Sequence, residues 1–580
     1  MREVQEEAVR ARETPAPELT FGLWRRFADS GDRLAYESAY FERRRRLAAL
    51  LLDALLNPHL GTRPDPALDD LLWSVCDEHT WILPAHERQE PGQAPDACTT
   101  PVAPATPATP ATPATPATPV VPVAEQVDLF AAETAHTLAE ATALLADRLD
   151  PQVRARVRAE VDRRVLAPWQ ARRMWWETCT HNWAAVCAGA AGMAALALGS
   201  ERLPALLPRA EAALASFRSG TGQDGACLEG PDYWAYGFGY FVYFAEALRE
   251  RTGRDLLDDP HVRAMAGYPA AIDLGGGHRP AFADSLGRGA YPSGLLDRLA
   301  GRLDVPVPEQ PDEPSFHDDP CYRWAHLSRT LWWTTGAARR PAAPQVFLPD
   351  AGIVVARAPG APGAAGAPGA AGAPGAAFAA KGGHNDEPHN HLDLGHFVLH
   401  AGGATILDDL GAPEYTRDYF GPHRYRTPQA AAGWHSVPLI GGAAQLPGRE
   451  RAARVTAYVP GEPLVLALDL TAAYDTPRLA RFVRTFTWRP GRLDVADAFD
   501  LHGGPCPVEE VFVSRLRPAL APGGRAVSWG PVTLAVPGPW RAWAEELEVR
   551  GHDGVPETVH RVRLAATVPA GTHVLTFRIA

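Results

Sequence analysis

The sequence has little of what marks nucleic-acid-binding, disulfide-stabilised or membrane-spanning proteins. Its 580 residues carry a formal net charge of -12 and show no basic face, which argues against nucleic acid as a partner. The seven cysteines form no CxxC pair and have no regular spacing, so neither a disulfide framework nor a cysteine-based zinc site is predicted. The N-terminus lacks the apolar segment of a secretory signal, and residues 184–199 are too few for a confident membrane span. We therefore expect a cytoplasmic protein without a membrane partner, and leave another export route open.

One dense basic run interrupts this acidic composition. The sequence FERRRRLAAL at residues 41–50 leads into an apolar helical pattern. Runs of this kind are usually the solvated face of a helix, and that is the prediction here.

The chain is long enough for at least two domains, and its first part has a helical pattern. Over residues 19–340, apolar residues recur at spacings of three and four between Pro, Gly and Asp stops. Such a series indicates helical hairpins packed in layers, while a closed ring and an open array remain alternatives. Residues 1–18 are predicted to be a flexible terminus.

In the second part, residues 345–580, the apolar period changes to two. Short β-branched and aromatic segments alternate with Gly, Pro and Asp, and no long helical pattern separates them, which predicts an antiparallel β-sandwich. An Ala-Thr-Pro repeat at about residues 90–124 and a Gly-Ala-Pro stretch at residues 358–377 are predicted to be loops without regular structure. The predicted fold class is therefore an α+β multidomain protein.

The stretch KGGHNDEPHNHLDLGHFVLH, residues 381–400, places many protonatable groups just before a predicted strand. In an extended chain His389 and His391 point to the same side because they are two residues apart. Asp409 follows the next strand, and His435 precedes another apolar run. Two imidazoles and a carboxylate from neighbouring strands could hold zinc. The spacing alone favours loop histidines that are satisfied without a metal, so both interpretations stay open.

The same stretch, continuing through FGPHRYRTPQAAAGWHSVPLIGGAAQ, resembles the signature region of the heparinase II/III-like family of polysaccharide lyases. HNWAAVCAGAAGMAALAL and QDGACLEGPDYWAYGFGYFVYFAEAL resemble successive landmarks of that family's helical domain. The similarity covers most of the chain apart from the extreme N-terminus and the two low-complexity inserts. It implies an incomplete (α/α) toroid over residues 19–340, an antiparallel β-sandwich over residues 345–580, and a sugar-binding cleft between them.

The resemblance also implies a metal site and a substrate contact. His391, Asp409 and His435 match the ligands of a zinc ion that is usually structural. His389 matches a histidine that lies beside the metal and faces the substrate. Asn182 matches an asparagine that contacts the uronate carboxyl group.

For proton transfer, the resemblance points to tyrosines. Tyr233 and Tyr236 in EGPDYWAYGFGY are the first choices, and Tyr240 is the alternative. Tyr419 matches a second active-site tyrosine, and Tyr425 lies close behind it.

The implied reaction is β-elimination on a uronate-containing acidic glycan. The enzyme removes the proton at C5, beside the carboxylate, and expels the 4-O glycosidic oxygen without adding water. Donors such as Asn182 and His389 would stabilise the charge that develops on the carboxylate. A base must reach C5 and an acid the leaving oxygen. Tyrosine can fill either role, although its pKa near 10 means that a base needs a neighbour favouring the phenolate.

Two other functions are compatible with the sequence. Trp183 stands where some family members carry a second histidine, and this, together with the missing secretion signal, leaves a non-catalytic glycan-binding protein that keeps the scaffold and the metal as the alternative to the lyase. A hydrolase would need a carboxylate pair. The candidate pairs, Glu229 with Asp232 and Asp386 with Glu387, are explained more simply by a helix N-terminus and a polar turn. The sequence does not distinguish a glycosaminoglycan from alginate, exo from endo action, or a monomer from a homodimer.

Overall fold

The computed structural model describes residues 1–57, 65–88, 121–310, 313–336, 340, 343–358 and 375–580, and in these residues a helical part precedes a part made of β-strands. The helices are α1 (Arg2–Glu13), α2 (Phe21–Ser30), α3 (Leu34–Leu56), α4 (Pro66–Asp77), α5 (Leu129–Leu144), α6 (Pro151–Val161), α7 (Ala167–Ala171), α8 (Asn182–Leu198), α9 (Leu203–Ser219), α10 (Pro231–Tyr233), α11 (Gly239–Thr252), α12 (Pro260–Ile272), α13 (Ser293–Leu303) and α14 (Trp324–Trp333).

The centre of the helical part is built from helices that are apolar on nearly every side. In α8 almost every residue is buried, and this helix contacts α5, α9 and α11. A helix without a polar face belongs in a core. Gly192 allows α11 to approach closely, because a Cβ atom there would lie 2.5 Å from the Phe244 ring.

Two predictions for the N-terminal region are wrong. Residues 2–13 form α1 rather than a flexible terminus, because Val4 and Ala8 are buried in the helical core and α1 packs on α3. The arginine run lies in α3 but is not a solvated face. Arg43 and Arg44 are buried there, because both guanidinium groups donate to the buried carboxylate of Glu78.

The strands form three antiparallel sheets. They are β1 (Gln345–Leu348), β2 (Ile353–Arg357), β3 (Ala376–Ala380), β4 (Gly383–Asn385), β5 (Phe397–Ala401), β6 (Ala404–Leu407), β7 (Leu439–Ile440), β8 (Gly448–Val459), β9 (Leu464–Asp469), β10 (Leu479–Arg489), β11 (Arg492–Leu501), β12 (Cys506–Ser514), β13 (Ala519–Leu520), β14 (Ala526–Trp529), β15 (Val532–Ala535), β16 (Arg541–Arg550), β17 (Pro556–Val568) and β18 (Gly571–Ile579). The strand orders are β1-β2-β3-β5-β6, β13-β14-β15-β18-β11-β10-β9-β8-β4 and β16-β17-β12-β7.

The sheet β1-β2-β3-β5-β6 is buried on both faces and joins the two parts of the molecule. Successive side chains of a strand point to opposite faces. Val355 and Ala379 accordingly belong to the core of the helical part, whereas Val354 and Phe378 belong to the core shared by the strands. The loops at the ends of this sheet are therefore held against the helices.

The predicted loops at the two inserts lie mostly outside the described residues. At the end of the Ala-Thr-Pro insert, Val123–Glu125 forms one turn of 3-10 helix. Of the Gly-Ala-Pro stretch, residues 359–374 are not described, and β3 begins at Ala376, so the predicted loop is shorter at that end. Among the described helices, none combines the length and apolarity needed to cross a lipid bilayer.

Candidate active site

The candidate site lies where the segment between α12 and α13 meets the loops that follow β4 and β6. This contact is close. Gly411, which has a φ of 65°, lies against Ser285, and a Cβ atom there would come within 2.1 Å of the Ser285 carbonyl oxygen. The Ala412 N–H donates to that carbonyl at 3.1 Å. Because Asp284 directly precedes Ser285, these contacts fix the chain after Asp409 beside Asp284.

Asp284 is the centre of the site and accepts hydrogen bonds from both histidines of the HNH sequence. His389 Nδ1 lies 2.8 Å from one carboxylate oxygen and His391 Nε2 lies 2.9 Å from the other. The Arg424 guanidinium donates to the same carboxylate at 3.2 Å. Burial alone would raise the pKa of Asp284, but Arg424 and the two imidazoles outweigh it and hold the pKa well below its usual value. Asp284 is therefore a carboxylate that fixes the tautomers of both histidines.

Three phenols complete this cluster. Tyr419 and Tyr415 both donate to Asp284, Tyr415 at 3.1 Å. Since the Tyr415 proton points to Asp284, its oxygen is free to accept from Tyr233, whose hydroxyl lies 2.7 Å away. Burial, and next the negative charge of Asp284, raise the pKa values of Tyr233 and Tyr415 well above 10. All three groups are therefore neutral phenols at physiological pH.

Tyr233 from the helical part stacks on His389 from the strand part. The ring centroids are 4.2 Å apart and the rings are inclined by 24°. His389 has a φ of 58° and Ala283, next to Asp284, has a φ of 59°. Positive φ is uncommon for residues other than glycine and costs roughly 1–3 kcal/mol. Strain on both sides of the Asp284–His389 contact is typical of a functional site.

A second group of polar residues faces His389 from the start of α8. The Asn182 N–H donates to Glu229 at 3.0 Å, and the other carboxylate oxygen of Glu229 lies 3.7 Å from His389 Nε2. That oxygen has no hydrogen-bond partner among the described residues. His181 is the N-cap residue of α8, and its Nδ1 lies 3.4 Å from the side-chain oxygen of Asn182. Asn182 is therefore not the helix cap, and its main chain is held by the carboxylate that faces His389.

The predicted metal ligands do come together. His391, Asp409 and His435, joined by Asp393, present ligand atoms that lie within 4.8 Å of one another, and all four residues are buried. Asp284 binds Nε2 of His391, and the Ala431 carbonyl lies 3.0 Å from Nδ1 of His435. Within the described parts of the chain, the remaining ring nitrogens, His391 Nδ1 and His435 Nε2, have no hydrogen-bond partner, and neither has one oxygen of Asp409. This is the donor set that a divalent metal such as zinc would satisfy.

Two further residues support this donor set. His396 Nδ1 accepts from the Ser436 N–H at 2.8 Å, so the neutral ring carries its proton on Nε2, which lies 3.4 Å from Asp409. Asp393 is bound by Lys381, the only lysine of the chain, with Nζ–O distances of 2.8 and 3.0 Å. His396 is therefore positioned to orient Asp409, and Lys381 balances the charge of Asp393.

Of the predicted tyrosines in EGPDYWAYGFGY, only Tyr233 contacts His389 in the described structure. The Tyr236 ring lies under the Arg323 guanidinium at 4.1 Å, and Tyr240 packs on His326 with ring centroids 5.8 Å apart. In an α-helix residues three apart share a face. A π-helical turn over Trp234–Phe238 changes that spacing and directs Tyr236 into the helical core.

The other predicted tyrosines and carboxylates also divide into residues inside and outside the Asp284 cluster. Tyr419 lies in the Asp284 cluster, whereas Tyr425 lies beside Asn390 with a separation of 3.4 Å. Of the carboxylates considered for hydrolysis, Asp232 accepts from the Leu286 N–H at 2.7 Å and pairs with Arg279 rather than facing Glu229.

The sequence interpretation missed Asp284, Tyr415 and Arg424. Asp284 lies 105 residues before His389 in a segment without a distinctive motif, so no local pattern marks it. Tyr415 is four residues before Tyr419, and a second tyrosine at that spacing was the one signal available.

Comparisons with known proteins agree with this architecture. No protein-family model matches the chain, and no curated protein sequence matches it. Among solved structures, a heparan sulfate lyase mutant from Pedobacter heparinus superposes with a TM-score of 0.60 at 13% identity, covering 99% of this chain and 82% of that one. A heparinase III gives a TM-score of 0.59 at 11% identity, with 99% and 88% covered. A Paenibacillus xanthan lyase gives 0.51 at 10%, with 100% and 56% covered.

These neighbours are all polysaccharide lyases by name, and they share the order of a helical part followed by antiparallel sheets. The low identities mean that the likeness concerns the fold alone. At that level the predicted resemblance is confirmed: the chain has the fold of heparinase-type polysaccharide lyases.

Proposed function

We propose that the protein is a lyase that cleaves a uronate-containing acidic glycan by β-elimination. The observation that carries the proposal is the stacking of Tyr233 on His389 at 4.2 Å, which joins a phenol of the helical part to an imidazole of the strand part. The lyase names of the structural neighbours support the same reaction class. On this proposal the helical part is an incomplete (α/α) toroid, the sheets form a β-sandwich, and the sugar lies between them.

In the proposed reaction His389 is the base. Its Nδ1–H donates to Asp284, so the neutral ring has its lone pair on Nε2, the atom that faces Glu229. This lone pair removes the proton at C5 of the uronate. The C5–H electrons form the C4–C5 double bond as the C4–O4 bond breaks. The imidazolium that results is stabilised by the Asp284 carboxylate, as in other aspartate–histidine pairs.

Tyr233 is the proposed acid. Burial and Asp284 raise its pKa, which keeps the phenol protonated and disfavours the phenolate that a tyrosine base would require. Its proton passes to O4 of the leaving sugar, and the Tyr415 hydroxyl, 2.7 Å away, then turns its proton from Asp284 to the phenolate that remains. The side-chain amide of Asn182 is the proposed donor to the substrate carboxylate, where negative charge develops.

We propose zinc as the metal of the buried donor set, held by His391 Nδ1, His435 Nε2 and Asp409. A closed site of this type stabilises the fold. With Nδ1 bound in this site, His391 would donate its Nε2–H to Asp284, 2.9 Å away, and keep that carboxylate beside His389.

The test is the appearance of the ultraviolet absorbance of a C4–C5 unsaturated uronate. Purified protein is incubated with heparan sulfate, chondroitin sulfate, xanthan and alginate, and binding to each polymer is measured by calorimetry. We expect absorbance to rise on at least one polymer. Binding without any absorbance change on the whole panel would favour the alternative, a glycan-binding protein that keeps the scaffold.

A further inference from the structure

Arg88 is a partly buried arginine that forms no ion pair with any described acidic group. Its main chain is held by Gln126, which accepts from the Arg88 N–H at 2.9 Å and donates to its carbonyl at 3.1 Å. Its Nε is buried and has no hydrogen-bond partner in the described part of the chain. Burial lowers the pKa of Arg88, and among the described residues the Cys179 thiol opposes this shift. Elsewhere, Arg43 and Arg44 share Glu78, and Arg484 pairs with Asp497.

An aromatic side chain lies next to this guanidinium. The Arg88 Cζ is 5.5 Å from the centre of the Trp175 ring, and Trp175 is partly exposed. Trp175 also packs on Trp183, with ring centroids 4.8 Å apart. An aromatic face beside a fixed cation is suited to a sugar ring that carries an acidic group, because the ring can stack while the acid binds the guanidinium.

This pair is connected to the candidate active site. Trp183 follows Asn182 in α8. Burial and then the charge of Glu229 raise the pKa of the Cys179 thiol, and the charge of Arg88 lowers it, so both groups act on this thiol. Glu229 in turn faces His389 at 3.7 Å. The Arg88 guanidinium therefore lies on the same side of His389 as Asn182 and Glu229.

We propose that Arg88 and Trp175 form a subsite for a second acidic sugar of the glycan, beyond the uronate that reacts. The subsite rests on the proposed lyase function and makes it more specific: the substrate carries a carboxylate or sulfate on a further sugar residue. The planar guanidinium binds either group with two parallel hydrogen bonds. Trp175 packs against the apolar face of the same sugar.

The experiment compares Arg88→Gln with Arg454→Gln, a matched control at an exposed arginine on β8 that pairs with Asp469 at 3.0 Å. The substrates are a tetrasaccharide of alternating N-acetylglucosamine and glucuronate, its N-sulfated form, and the disaccharide in which N-acetylglucosamine is linked to O4 of glucuronate, so that each contains a bond that β-elimination can break. We expect Arg88→Gln to raise KM for a tetrasaccharide about tenfold with little change in kcat, because one charge-assisted contact is lost. The disaccharide, which does not reach the subsite, should be cleaved equally by both variants.

Calorimetric binding of the same tetrasaccharides is measured in a Tyr233→Phe background, so that the subsite is tested whether or not the wild-type protein cleaves them. A loss of affinity on both tetrasaccharides assigns the contact to a carboxylate, and a loss confined to the N-sulfated one assigns it to a sulfate. Equal affinity of Arg88→Gln and Arg454→Gln for both would overturn the subsite. Absent cleavage with a retained Arg88 effect on binding would instead reject the lyase function alone.

Discussion

Glu78 and Asp284 are both buried carboxylates, but their partners differ. Glu78 accepts from Arg43 at 2.7 Å and from Arg44 at 2.9 and 2.8 Å, and these groups do not lose their protons at any ordinary pH. Asp284 accepts chiefly from imidazoles and phenols, which are groups that can give up a proton. Burial opposes ionisation in both cases, and in both the partners keep the pKa low. Burial therefore does not distinguish a structural carboxylate from a functional one, whereas the proton chemistry of the partners does.

The same contrast separates two tyrosines of one motif. Tyr233 lies against His389 in the Asp284 cluster, and Tyr236 lies between Arg323 and Glu133 in the helical core. If the Asp284 cluster is catalytic and the helical clusters are structural, substitutions in the two places should affect different measurements.

The largest effect is expected for Tyr233→Phe. Removing the hydroxyl that protonates O4 should lower kcat about a thousandfold, within the range of general acid catalysis. Tyr236→Phe is the matched control and should change kcat by no more than a few-fold. Initial rates of unsaturated uronate formation measure both. Equal losses in the two variants would remove the distinction between the clusters.

The metal site gives the next largest effect. His435→Ala removes one proposed ligand and leaves Asp409 and His391 buried without a metal, which should lower the free energy of unfolding by about 4 kcal/mol. Zinc content by elemental analysis should fall in parallel. His423→Ala, at an exposed histidine of the same segment, should change neither quantity. Wild-type protein that folds fully without zinc would contradict the assignment.

Glu78→Gln tests the structural side of the comparison. It leaves two buried guanidinium groups without their carboxylate, so we expect about 3 kcal/mol less stability in denaturant unfolding. The turnover number per folded molecule should stay the same, because Glu78 does not contact the Asp284 cluster in the described structure. Glu548→Gln, an exposed position on β16, provides the baseline. A loss of kcat at unchanged stability would reverse the assignment.

The smallest effect concerns pH. Burial raises the pKa of Glu133 to about 7, although Arg323 opposes the shift. Between the usual value of 4.5 and 7 the folded protein keeps the proton that the unfolded chain releases, so stability falls as pH rises through this window. In Glu133→Gln, the fall in the free energy of unfolding across this pH window should be smaller by about 2 kcal/mol. Unfolding curves at pH 5 and pH 8 compare the variant with the exposed control Glu546→Gln. Parallel pH dependences in wild type and Glu133→Gln would refute the shift.

The sequence patterns were informative where a property is local. The change of apolar period near residue 345 predicted the order of helices and strands, and the HNH stretch placed His389 and His391 beside each other. Non-local properties were not accessible. The arginines of α3 were predicted to be solvated because their acceptor, Glu78, is contributed by the segment after α4. Asp284 had no local signal, and the π-helical turn that separates Tyr233 from Tyr236 depends on packing around it.

The sheet β1-β2-β3-β5-β6 limits how the protein can be divided. Its strands are covalently part of the C-terminal half, yet Ile353, Val355, Ala377 and Val398 complete the core of the N-terminal half. A fragment that ends at residue 340 would lack these side chains in its core. The complementary fragment would expose them to water as an apolar surface that favours aggregation. Each fragment expressed alone should aggregate, whereas the two expressed together should recover a folded complex.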